Sequence, residues 1–110
     1  VMDAMRINLR KIYESFPNAV LYYGTPMQAI KSGAANEELT QRKIINQFKL
    51  MAQTFNFKII DAFEEVGIIR DFEVKDAPGR YLTDGLHPNA AGKEKQGKYY
   101  ANQIITQYPG

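Results

Sequence analysis

The chain has 110 residues, 45% hydrophobic and 24% charged, with a net charge of +2, a composition that belongs to ordinary globular domains and excludes intrinsic disorder. No run approaches the roughly 18 consecutive apolar residues of a membrane span, and with no cysteine and a single histidine a disulfide framework, a thiolate metal site and a tetrahedral zinc centre are excluded too. Fourteen basic residues against twelve acidic ones are spread from Arg6 to Lys98 without a dominant block, so there is no electrostatic footprint for nucleic acid.

Met2, Met5, Leu9, Ile12 and Phe16 recur at spacings of three and four, with Arg, Asn, Lys and Glu between them. This predicts an amphipathic helix that stops at Pro17-Asn18. Asp3 offers only a late cap, and the expectation is a helix whose start has been cut. Ala19 to Tyr23 is an apolar run without polar alternation, closed by Gly24-Thr25-Pro26, and suits a strand buried on both faces of a parallel sheet. Gln28 to Ala35 reads as a loop of small residues, with Asn36 as the N-cap of a second helix and Glu37 and Glu38 in its first turn. Ile44, Phe48, Met51 and Phe55 mark the buried stripe of that helix, with Ile45 and Ala52 beside it.

Phe57 to Asp61 is the second strand, leaving an acid at the C-terminal end, where α/β sheets present functional groups. Ala62 to Leu86 reads as a long loop with one helical turn near Phe63 to Val66. The last helix is predicted from about Asn89, its cap, to Gln107, with Tyr100, Ile104 and Tyr108 on one face and Gly97 and Ala101 allowing close approach. Alternating helices and strands imply an α/β fold with a parallel sheet and helical crossovers. Two parallel strands leave both outer edges unpaired, where a doubly wound layer normally has about five. Further strands are expected from elsewhere.

The stretch Tyr81-Leu82-Thr83-Asp84-Gly85-Leu86-His87-Pro88-Asn89-Ala90-Ala91-Gly92 holds the only histidine. Asp84 precedes His87 by three residues across Gly85, close enough for the carboxylate to reach Nδ1–H and leave Nε2 free as a base. Pro88 and the helix starting at Asn89 would hold the ring on a rigid shoulder, as general-base catalysis requires. An Asp-Gly turn, a proline and an Asn cap also suit an ordinary loop-to-helix junction, and a lone histidine is more often structural or exposed than catalytic. As metal ligands the pair lacks further His or Cys residues.

Asp-Gly-Leu-His-Pro-Asn-Ala-Ala-Gly, followed by a helix, closely resembles the last block of the SGNH hydrolases, the GDSL-type esterases and lipases. The order of elements, including the strand end Tyr23-Gly24-Thr25-Pro26, resembles the C-terminal half of that flavodoxin-like α/β/α fold over most of the chain. The resemblance implies a Ser-His-Asp triad whose acid and base are Asp84 and His87, no cofactor, and an ester substrate, with acylated carbohydrate as a family-level choice. It also implies that residues 1–110 are the C-terminal part of one SGNH-like domain. The family's Gly-Asp-Ser nucleophile motif and its Gly-x-Asn-Asp block are missing. The serines present, Ser15 in a helical pattern and Ser32 in a small-residue loop, lack the strand-to-turn setting of a nucleophile. The chain alone is therefore expected to be inactive.

Two other readings stand beside this one. A non-catalytic flavodoxin-like module would bind a ligand near Gly24 to Met27 and Asp61 to Glu64, although no Gly-rich phosphate loop is present. A structural reading has the exposed sheet edge pair with the missing N-terminal half or with a second copy. Arg70, Lys75 and Arg80 are offered to an anionic substrate by the long loop, but solvated surface is their default role.

Overall fold

The computed structural model describes residues 2–28 and 37–110, with residues 37–39 described by backbone alone. The small-residue loop, its Ser32 and the Asn36 cap lie outside the described residues. Element order is α1 (Met2–Ser15), β1 (Tyr22–Gly24), α2 (Glu37–Thr54), β2 (Lys58–Ile60), α3 (Ala62–Glu65), a π-helical turn (Phe72–Asp76) and α4 (Ala90–Gln107). The chain is thus of mixed helix and strand, with β1 and β2 paired in parallel as a two-stranded sheet. Tyr22 lies opposite Lys58, Tyr23 opposite Ile59 and Gly24 opposite Ile60.

Both strands are shorter than their apolar runs. A turn through Pro17 and Asn18, closed by the Ala19 amide on the Phe16 carbonyl at 3.2 Å, delays β1 to Tyr22 and leaves Val20 36% exposed. The expected burial of β1 on both faces does not hold, since its residues are half-buried or exposed. Among the described residues β1 has a single neighbouring strand, β2, and no strand on its other flank. The Lys58 amide donates to Leu21 and the Thr25 amide to Ile60, so pleat alternation turns the N–H and C=O of Tyr22 and Gly24 away from β2. On β2 the outward residue is Ile59, and its carbonyl accepts from Gln107 Nε2 of α4 at 2.8 Å.

Two apolar clusters hold the helices to the sheet. Leu9, Ala52 and Phe57 are buried together, with Met5, Leu21, Tyr23, Met51, Phe55 and Ile59 packed around them. The stripe of α1 is therefore only half used, and Ile12 and Phe16 stay exposed. The buried row of α2 runs through Ile45 and Ala52, while Ile44 is 43% exposed, a rotation of about one position from the predicted stripe. Two residues past the end of this helix at Thr54, Asn56 has a φ of 64°, the left-handed conformation that asparagine tolerates after a helix C-terminus.

The second cluster, Ala62, Val66, Ile68 and Leu82, with Met27, Tyr81, Tyr99 and Tyr100 against it, comes largely from the segment read as a long loop. Its apolar residues follow no period because Gly67 (φ +82°) and the π-helical turn interrupt them. In α4, Ile104 and Tyr108 are exposed rather than packed. Gly97 has nothing near it and Ala101 is exposed, and the close approaches occur instead at Gly92 and at Gly24, where a Cβ would sit 2.8 Å from the Tyr100 hydroxyl.

Leu82 is 1% exposed at the centre of the second cluster. Leu82→Ala is expected to lower stability by about 2 to 5 kcal/mol, from lost burial plus the cavity left behind, measured as a shift of the urea midpoint at constant slope.

Candidate functional site

The loop from Leu82 to Pro88 is closed at its base by backbone pairing. Leu82 and Pro88 form an antiparallel bridge, the Thr83 amide donates to the His87 carbonyl at 2.8 Å, and the Asn89 amide donates to the Tyr81 carbonyl at 2.8 Å. Within that clamp, Gly85 takes φ +76°, a left-handed turn that glycine adopts without strain. The chain doubles back so that Asp84 Oδ1 accepts the amides of Leu86 (3.0 Å) and His87 (2.7 Å). The other carboxylate oxygen, Oδ2, lies 2.6 Å from His87 Nδ1.

The sequence-predicted pair is thus brought together, and its chemistry follows from the contacts. The amide of His87, then its ring, then the amide of Leu86 hold the Asp84 carboxyl well below the usual carboxylate range. An ionised carboxylate only accepts, so Nδ1 carries the proton and Nε2 presents a lone pair. Among the described residues Nε2 has no hydrogen-bond partner, and the His87 side chain is 72% exposed. The arrangement is an oriented imidazole base with its basic nitrogen open to an incoming group.

Asn89 does more than the cap expected of it. Its Oδ1 accepts the Gly92 amide at 2.8 Å, while Nδ2 donates to the carbonyls of Gly79 (2.9 Å) and Arg80 (3.0 Å). A Cβ on Gly92 would overlap the Tyr81 carbonyl, so the start of α4 lies flush against the backbone entering the loop. The Asn-x-x-Gly spacing was visible in the sequence, but nothing there showed that the amide nitrogen reaches back ten residues. Behind this brace, Glu73 of the π-helical turn is 3% exposed, and its Oε1 accepts the Tyr81 amide at 2.8 Å. It stands in the charged run Arg70 to Asp76, which carries no burial signal.

Beside the loop, Leu86 joins Pro26, Met27, Gln41, Ile44, Ile45 and Phe48 around an apolar pocket of about 270 Å³. The strand ends proposed for a module's ligand are turned on one another. Thr25, 2% exposed, accepts the Phe63 amide at 2.9 Å and donates to Asp61 Oδ1 at 3.4 Å. Asp61 Oδ2 pairs with Lys49 Nζ at 2.6 Å, and Gln28 spans the Phe63 carbonyl and the Arg70 amide, each at 3.0 Å. Of the three loop cations, Lys75 pairs with Asp71 and Arg80 lies over the Tyr81 ring. Arg70, read as solvated, has its Nε buried without a partner. Ser15 is exposed at the end of α1.

Among the described residues no three His, Cys, Asp or Glu side chains gather where they could hold a metal ion, and no helix is long and apolar enough to cross a membrane. No family model, curated protein or solved structure matches the chain.

Asp84→Asn should release the Nδ1–H tautomer, because an amide nitrogen can face Nδ1 as a donor. Long-range ¹H–¹⁵N NMR at alkaline pH would show protonation moving toward Nε2. Because its pKa is depressed in the folded state, the stabilisation that Asp84 contributes is complete above the ordinary carboxylate range and is lost progressively as pH falls from that range to the lowered value. The Asp84 carboxyl ¹³C shift should accordingly stay flat through pH 4, where an unperturbed aspartate titrates.

Proposed function

We propose that this chain supplies the acid–base half of a serine esterase of the SGNH type. The observation that carries the reading is the 2.6 Å contact between Asp84 and His87 Nδ1, with Nε2 left open, at the Asp-x-x-His of a segment that resembles the family's last block. The nucleophile lies in a segment outside the 110 residues, since neither Ser15 nor Ser32 has the setting of one. In the finer form of the proposal, β1 and β2 belong to a larger flavodoxin-like sheet between helical layers, and a further strand pairs along the open flank of Tyr22 and Gly24. A second copy of the chain is the other candidate for that flank.

The reaction is transfer of an acyl group from an alcohol to water. His87 Nε2 takes the serine hydroxyl proton as the serine oxygen attacks the ester carbonyl. It then returns that proton to the departing alcohol, leaving an acyl-enzyme. In the second half it removes a proton from water, which attacks the acyl carbon, and gives it to the released serine. Throughout, Asp84 keeps the ring in one tautomer and offsets the charge of the imidazolium. The apolar pocket that includes Leu86 is wide enough for a short acyl chain, and its lining favours the acyl part of the ester over the alcohol. Acylated carbohydrates fit this division, with the sugar toward solvent. The chemistry needs no cofactor.

In protein that carries the nucleophile, His87→Ala is expected to lower kcat for a short-chain aryl ester by roughly a million-fold and Asp84→Ala by about ten-thousand-fold. The 110-residue chain alone should hydrolyse no ester above background. Unchanged turnover in His87→Ala, or an upstream reading frame without a Gly-Asp-Ser motif after an apolar strand, would sink the proposal.

A further inference from the structure

From the same geometry we infer that Glu73 is a positioning residue for the base, setting where the Asp84–His87 pair stands relative to the rest of the fold. The inference rests on the esterase reading for its catalytic consequence but not for its structural one.

Two separable tasks have to be met at this site. The mutual geometry of Asp84 and His87 is fixed locally, by the two amides on Asp84 Oδ1 and by Thr83 on the His87 carbonyl. None of those bonds reaches outside the loop, so they orient the ring within it and leave its place in the molecule undetermined. That place is set at the loop's base, through Tyr81. The Tyr81 carbonyl takes the Asn89 amide and abuts Gly92, tying it to α4. The Tyr81 amide is held from the opposite side by Glu73 Oε1 at 2.8 Å.

Glu73 is an expensive way to hold one amide. It is 3% exposed, and its second oxygen, Oε2, is buried with no partner. A buried carboxyl with an unsatisfied oxygen loses more in desolvation than a single hydrogen bond returns, and an apolar side chain of that size would fill the place at lower cost. Packing does not make the acid redundant either. Glu73 and Tyr81 border a cavity of about 110 Å³ shared with Phe72 and Lys95, so there is room for the Tyr81 backbone to shift once the carboxyl lets go. The turn that carries Glu73 is π-helical, and such turns appear frequently at functional sites, where they re-aim a side chain. Here the turn aims an acid at the root of the base-bearing loop.

The test compares Glu73→Gln, which keeps an acceptor for the Tyr81 amide, with Glu73→Met, which keeps the volume and removes it. In Glu73→Met, amide hydrogen exchange is expected to speed up by at least about ten-fold at Tyr81, Thr83 and Asn89, the effect of losing one such bond. Exchange at Ile60 and Phe63 and the His87 tautomer should stay as they are. In protein carrying the nucleophile, Glu73→Met should lose on the order of 100-fold in kcat with KM changed far less, as displacement of a catalytic group by about 1 Å produces. Glu73→Gln should restore both readouts. Wild-type exchange in Glu73→Met, or equal losses in the Gln and Met variants, would overturn the inference. If exchange responds as expected while no ester is hydrolysed, the positioning role stands and the esterase reading falls. Should Glu73→Met not fold, failure of Glu73→Gln to keep wild-type exchange decides against it.

Discussion

The backbone of Tyr81 is gripped from two directions, and much of the molecule is arranged around that grip. Its carbonyl receives the first amide of the α4 segment and lies so close to Gly92 that no side chain fits there. Its amide is taken by a buried acid from a turn eight residues earlier. Its ring packs on the cluster of Ala62, Val66, Ile68 and Leu82 and lies beneath the Arg80 guanidinium and the Lys95 ammonium. Apolar packing fixes the depth of the residue, and hydrogen bonds fix its height along α4. Packing alone is poor at the second task, because dispersion contacts change little when one surface slides along another.

The same division of labour holds at the strand ends. Thr25, Asp61, Phe63 and Gln28 are joined by side-chain to side-chain and side-chain to backbone bonds, which tie Thr25 and Gln28 to the start of α3. Lys49 reaches down from α2 to join them through Asp61. These polar groups at the top of the sheet are thus occupied in holding the fold, while His87 Nε2, on the neighbouring loop, has no partner among the described residues. A site built this way concentrates its available chemistry in one atom.

How much of this was legible in the sequence depended on the length of the pattern involved. The three long helices form where their apolar periods predict them, but the periods overstate what is buried: Ile12 and Phe16 after the first turns of α1, and Ile104 of α4, stay exposed. The stripe of α2 is turned by one position because Ile44 and Ile45 are both apolar and the period alone does not choose between them; Ile45 is 6% exposed and Ile44 43%. The strands were located but not bounded, since pairing, not hydrophobicity, decides where a short strand begins. The Asp84–His87 contact was legible because a spacing of three across a glycine nearly dictates it. Glu73 was hidden because a buried acid amid Arg70, Lys75 and Asp76 looks like any solvated charge, and its partner is a backbone amide that leaves no trace in residue identity.

Gln107 gives the sheet a handedness of growth. It occupies the outward carbonyl of β2, whereas among the described residues nothing pairs with the outward groups of Tyr22 and Gly24. A surface with a single adhesive edge cannot polymerise through that edge, because each union uses up the only one available on both members. A copy related by a two-fold axis that adds beside Tyr22 and Gly24 closes the sheet with that one addition, whereas a strand of the same polypeptide brings a free edge of its own. The end of the last helix therefore stands in the way of strand addition at the Ile59 carbonyl, and sheet growth is directed to the other side.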